Sequence, residues 1–127
     1  LALPILKTSD RIRLVYTGDP SLDPEAAPDR FDWRAATQGD AAKGATIAVI
    51  RPVSATEHKQ AAIEAAGNGE AFLVALLARG LVALDGDPRP VGEIVETMPA
   101  APRLALARAV DRVSSETADP FGQRSSG

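Results

Sequence analysis

Ala45-Thr-Ile-Ala-Val-Ile-Arg51-Pro52-Val53-Ser54-Ala55-Thr56-Glu57 is the stretch from which the fold is read. Its first half is β-branched and bounded by Gly44 and Pro52, the signature of a strand. Its second half carries Ser54-x-x-Glu57, a capping box. The Ser54 hydroxyl can accept from the Glu57 amide while the Glu57 carboxylate reaches back to the Ser54 amide. A strand therefore hands over to a helix, expected from about Ala55 to Ala66. Gly67-Asn68-Gly69 ends that helix, since both glycines tolerate positive φ.

Upstream of this junction the signals are those of strands. Over Arg11–Tyr16, Ile12, Leu14 and Tyr16 fall on one face and Arg11, Arg13 and Val15 on the other, which predicts a strand with one wet side. Phe31–Thr37 reads as a second short strand, with Phe31 and Trp33 sharing a face, and Gly39 to Gly44 breaks the pattern. Prolines 20, 24 and 28 block helix and ladder alike, so Gly18 to Arg30 is expected to be an irregular loop, and residues 18–44 as a whole loop-rich.

Downstream the period changes. Glu70–Arg79 places Phe72, Leu73, Leu76 and Leu77 on one stripe of a helix that Gly80 terminates. Leu81–Leu84 reads as a short strand or an extended connector into the Asp85-Gly86 turn. Val91–Met98 and Arg103–Ser114 are further helices, the last with Leu106, Val110 and Val113 on one side. Strands precede helices, which gives the α+β class: short antiparallel N-terminal strands followed by a C-terminal cluster of three to four helices. The expectation is a single domain over residues 1–117 and a flexible tail at 118–127.

Composition narrows the function classes. The 127 residues are 45% hydrophobic but only 4% aromatic, so a core exists and is built largely from small side chains. A formal net charge of −3 without a basic cluster argues against nucleic acid as a partner. There is no cysteine, which removes disulfides, thiol catalysis and thiolate metal sites. No apolar run is long enough to span a bilayer and no leader pattern occurs at the start, so the expectation is a cytoplasmic protein without a membrane partner.

The chemistry-bearing residues are sparse. His58, the only histidine, stands among Glu57, Lys59 and Glu64 and reads as part of a solvated helix face. Asp19, Asp23, Glu25 and Asp29 lack the alternation and glycine of a calcium loop. Asp85-Gly86-Asp87 reads as a tight turn, and Glu93 and Glu96 as solvated. The serines lack a nucleophile-elbow setting, and Gly67-Asn68-Gly69 lacks the Lys-Ser/Thr of a phosphate loop. No catalytic, cofactor-binding or metal-binding residue is assigned, and the chain is not expected to be an enzyme. The apolar helix faces remain: Phe72, Leu73, Leu76, Leu77, Leu106 and Val110 are either core or a surface that accepts a partner helix.

Two stretches carry a family resemblance. Ala48-Val49-Ile50-Arg51-Pro52-Val53-Ser54-Ala55-Thr56-Glu57-His58 resembles a form common in tail assembly chaperones of long-tailed (siphovirus-like) bacteriophages. There a strand ends in Arg-Pro-[Leu/Val] before a polar, capped helix start. Gly80-Leu81-Val82-Ala83-Leu84-Asp85-Gly86-Asp87-Pro88-Arg89-Pro90 resembles that family's apolar–Asp-Gly-x-Pro-x-Pro connector, and Arg103–Val110 its helix rich in Ala and Arg. The similarity covers about residues 45–116; the 18–44 region has no counterpart in it, and Val91-Gly92 stands where an aromatic residue often follows the prolines.

The resemblance implies a non-enzymatic protein without cofactor or metal. It would bind the helical tape-measure protein in the bacterial host cytoplasm and keep it from aggregating until tail-tube subunits polymerise around it. The partner-binding residues expected on that basis are Phe72, Leu73, Leu76, Leu77, Leu106 and Val110. The alternative is a small structural virion subunit of the tail, neck or connector, retained in the particle beside other virion proteins. Assembly into a homo-oligomer is open under both.

Overall fold

The computed structural model describes residues 7–22 and 31–115. The tail expected at 118–127 and the central part of the proline loop, 23–30, lie outside the described residues. The elements run β1 (Ile12–Tyr16), β2 (Trp33–Ala35), α1 (Gln38–Ala42), β3 (Ile47–Ile50), α2 (Ala55–Ala65), α3 (Gly69–Gly80), β4 (Leu81–Leu84), α4 (Val91–Thr97) and α5 (Ala100–Ser115). The strands form one antiparallel sheet in the order β2-β1-β3-β4. The class is α+β, as the order of the sequence signals predicts.

Segregation of strands from helices is incomplete, however. β4 follows α3 in the chain but pairs with β3, with Ala48 opposite Leu84 and Val49 opposite Ala83. The α2–α3 hairpin carries the chain away from the sheet and returns it to the free edge of β3. The return is abrupt, for Gly80 is the last residue of α3 and Leu81 the first of β4. Gly80 is not a left-handed cap; its role is close approach. A Cβ there would overlap the Val110 methyls and lie 3.2 Å from the Arg51 carbonyl oxygen. The Arg51 amide donates to the Gly80 carbonyl at 2.8 Å, stitching helix end to strand end.

A second difference concerns residues 18–44. Helix α1 interrupts this region, opened by Thr37, whose hydroxyl accepts from the Asp40 amide while the Asp40 carboxylate accepts from the Thr37 amide. That is a capping box with Asp in place of Glu. Gly39 sits inside the first turn rather than ending the pattern.

The core lies between one face of the sheet and the helices. Ile12, Leu14, Ala48 and Ile50 point from the strands towards Leu76, Leu77, Leu106 and Val110. Helix α3 occupies the centre, packing against both α2 and α5. Ala105, Ala107 and Ala109 are buried on α5 beside Leu106 and Val110, so the helices approach closely through small side chains. The other sheet face is not simply wet: Val15 is fully buried there with Ala45 and Ile47, under Leu22 and Ala36. The chain after β1 and after β2 covers that end of the sheet, while Arg13 remains exposed and crosses β3 to pair with Asp85 at 2.7 Å. Among the described residues no helix is long and apolar enough to cross a membrane.

Candidate functional site

The six residues read from sequence as a partner surface divide sharply. Leu76, Leu77, Leu106 and Val110 have no exposure and belong to the core; as surface residues they are corrected. The reason is the central position of α3, whose stripe of large side chains meets the sheet and α5 at once. Phe72 and Leu73 are half-buried and pack against the rim of that core.

What α3 presents outward is small. Ala71 and Ala78 are exposed, and Val74 and Ala75 half-buried. They floor an open groove of about 530 Å³ bounded by Glu64, Glu70 and Arg79. Arg79 ion-pairs with Glu64 across from α2 and donates to the Ala75 carbonyl at 3.1 Å, which ties the two helices together at the groove wall. A second groove of about 280 Å³ opens around the α2–α3 turn between Ala62, Ala65, Gly67 and Phe72, and its walls are mostly apolar. Asn68 lies on the rim of both. Ile63, 68% exposed, stands on α2 as the most exposed large apolar side chain among the described residues.

The turn itself is well determined. Ala66 caps α2 in the left-handed region (φ 49°), Gly67 follows at φ 88°, and Asn68 caps α3 by accepting from the Ala71 amide at 3.0 Å. Gly67 thus has the positive φ expected of it, whereas Gly69 does not and is the first residue of α3.

Three carboxylates are engaged in structure by neighbouring arginines. Arg51 grips Glu57 at 2.7 and 3.1 Å; those hydrogen bonds, opposed by partial burial and joined by the Ser54 amide, hold the Glu57 carboxyl down at about 2. Arg34 does the same to the buried Asp40, at 2.8 and 3.0 Å, and holds its carboxyl well below the usual range. Asp87 is lowered to about 2 by its hydrogen bonds from Arg89. Each is a carboxylate stabilised in its charged form, the opposite of a group tuned to exchange protons near neutrality.

His58 is less solvated than its sequence neighbours suggest. Its Nε2 lies 3.3 Å from Asp111 Oδ1 on α5, and its ring meets Phe72 edge-on at 5.1 Å. Ser114 is nearby, in a cleft lined also by Ser54 and Ser115. The Ser114 hydroxyl accepts from the Val53 amide at 2.9 Å and donates to the Val110 carbonyl at 2.7 Å, so it is committed to joining the β3–α2 connection to α5. The Ser54 oxygen caps α2. Serine, histidine and aspartate meet here, with these two hydroxyls spent on backbone. Among the described residues no three His, Asp or Glu side chains converge as a metal site would require.

A feature that sequence reasoning only half-registered is an aromatic corner. Tyr16 lies opposite Trp33 in the β1–β2 register, their rings 5.4 Å apart, and Phe31 closes on Tyr16 at 6.0 Å. Gly18 makes room, since a Cβ there would lie 2.8 Å from both rings. Trp33 Nε1 donates to the Pro102 carbonyl at 2.9 Å, and a largely apolar cleft of about 320 Å³ runs past Met98 and Pro99. The Phe31-x-Trp33 spacing was visible in the chain; that Tyr16 joins them depends on strand pairing. No family model, curated protein or solved structure matches the chain.

Proposed function

We propose that this chain is a non-enzymatic binding protein that shields an apolar helical partner during assembly. In the terms of the resemblance carried by Ala48–His58 and Gly80–Pro90, it is a phage tail assembly chaperone for the tape-measure protein. The observation that carries the reading is the outward side of α3. Ala71, Val74, Ala75 and Ala78 form a shallow apolar floor whose side chains are small enough to admit a partner helix at short interaxial distance. Glu64, Glu70 and Arg79 border it and supply the polar rim that such a surface needs to stay dispersed when empty. The burial of Leu76 and Leu77 moves the expected contact from the large residues of α3 to the small ones.

Co-expression with a tape-measure fragment tests the reading. The expected result is that the partner becomes recoverable in the supernatant with this chain and returns to the pellet with Ala71→Glu/Ala78→Glu. Both positions are exposed, so the substitutions leave the fold intact. A partner equally insoluble with and without the chain overturns the proposal. Mass spectrometry of purified particles separates the two roles: a chaperone is absent from them, and a retained structural subunit is present in stoichiometric amount.

A further inference from the structure

Asn68 is the only asparagine in the chain, and it is followed by Gly69. It sits exposed on the α2–α3 turn, between two glycines, one of which has no structural reason to be glycine. A Cβ at Gly69 would meet nothing within 4 Å, and its φ is not positive. Glycine in the first turn of a helix only weakens that helix. What it does provide is an unhindered backbone nitrogen next to an asparagine side chain.

We propose that Asn68 is a site of spontaneous deamidation, gated by opening of the α2–α3 turn. In the reaction the Gly69 backbone nitrogen, having lost its proton to base, attacks Asn68 Cγ. The new N–Cγ bond closes a five-membered succinimide as the Cγ–Nδ2 bond breaks, and the side-chain nitrogen leaves as ammonia. Water then opens the ring at either carbonyl, giving aspartate or isoaspartate. The net change is one water taken up and one ammonia released, with no oxidant or reductant.

The folded geometry sets the gate. Asn68 has ψ 113° and its Oδ1 is held by the Ala71 amide at 3.0 Å, so the side chain is turned to capping α3 rather than to its own following nitrogen. Attack requires that cap to release. The release is local, because the turn is exposed and neither flanking glycine is packed against a neighbour: a Cβ at Gly67 also meets nothing within 4 Å. The two products act in opposite directions. Aspartate remains a good N-cap and adds a negative charge where the helix dipole favours one. Isoaspartate inserts a methylene into the backbone and takes away the cap. Either adds one negative charge to a chain of formal net charge −3, on the rim that already holds Glu64 and Glu70. This inference stands apart from the proposed binding role.

The test is incubation of the folded full chain for weeks at mildly alkaline pH, with a parallel sample in denaturant. Trypsin cutting after Lys59 and Arg79 releases residues 60–79, whose fragmentation locates any gain of one mass unit. The expected result is conversion at residue 68 about ten- to a hundredfold slower when folded than when denatured, as a locally opening turn requires. Asn68→Ser, which keeps the cap, abolishes the gain; Gly69→Ala keeps the fold and slows conversion more than about tenfold, its Cβ hindering the attacking nitrogen. Folded chain that stays unconverted while the denatured chain reacts fully overturns the proposal. So does conversion that Gly69→Ala leaves unchanged.

Discussion

Arg51, at the end of β3, and Glu57, in the first turn of α2, form a two-pronged ion pair of 2.7 and 3.1 Å across the turn that joins sheet to helix. Glu57 Oε1 also accepts from the Ser54 amide at 3.0 Å, so a single carboxylate closes the capping box and fixes the direction in which α2 leaves the sheet. Glu57→Gln retains a partner for the Ser54 amide and loses the charge; Glu57→Ala loses both. The expected costs are about 1 kcal/mol for the first and about 2 kcal/mol for the second. Denaturant midpoints of the two variants, read with unchanged slope, check the order.

The same carboxylate makes stability depend on acid. Glu57 ionises at about 2 in the fold against an ordinary 4.5, so its contribution is complete above about pH 4.5 and disappears as pH falls through about 2. Asp40, also lowered, acts in the same sense. Urea midpoints should therefore hold steady from neutrality down to about pH 4.5 and drop below it. Glu57→Gln and Asp40→Asn, each less stable at neutral pH, should show a shallower drop; a drop of equal depth in all three chains would count against these carboxylates.

Gly80→Ala should be among the most damaging single methyl additions to this chain. The new Cβ overlaps the Val110 side chain at the point where α3 becomes β4 and crowds the Arg51 carbonyl oxygen at 3.2 Å, while the Arg51 amide, donating to the Gly80 carbonyl at 2.8 Å, restrains the backbone. The expected loss is about 1–3 kcal/mol from overpacking. Val110→Ala alone costs about 1–3 kcal/mol through a cavity, yet it makes room for the added methyl, so the double variant should be more stable than the sum of the singles. Strict additivity in thermal melts would show that the clash is relieved elsewhere.

These sites also show where the chain was readable. Ser54-x-x-Glu57 announced α2 because both partners of the capping box lie within four residues. Thr37-x-x-Asp40 carries the same device less legibly: Gly39 between them looks like a breaker, and the Arg34 that holds Asp40 is supplied by a strand whose place depends on pairing with β1. β4 was legible as extended, but its position beside β3 follows from a helical hairpin that brings Gly80 back to Arg51. The stripe Phe72, Leu73, Leu76, Leu77 is legible as the apolar face of a helix. Periodicity gives the face of a helix and not what lies against it, and α3 packs between α2 and α5 with its leucines in one cluster with the sheet residues. The α3 floor proposed for the partner is not legible in the sequence, because alanine on an outward helix face gives no signal that separates it from ordinary solvated helix.

Trp33 offers the cleanest test of the aromatic corner, since it is the only tryptophan and reports its own surroundings. It is 5% exposed, its ring is tilted against that of Tyr16, and it donates from Nε1 to the Pro102 carbonyl, which anchors the first turns of α5 to β2. Its emission in the folded chain should be blue-shifted and move to the red on unfolding. Trp33→Phe keeps an aromatic ring against Tyr16 but leaves the Pro102 carbonyl without its donor, at an expected cost of about 1–2 kcal/mol. Tyr16→Leu keeps that hydrogen bond and removes the ring contact, at an expected cost of about 1 kcal/mol. If the corner acts as one unit, the double variant loses less than the two singles together, because each single already loosens the contact the other depends on. Emission that starts at the solvent-exposed position in the native chain would mean that β2 and α5 are not joined in this way.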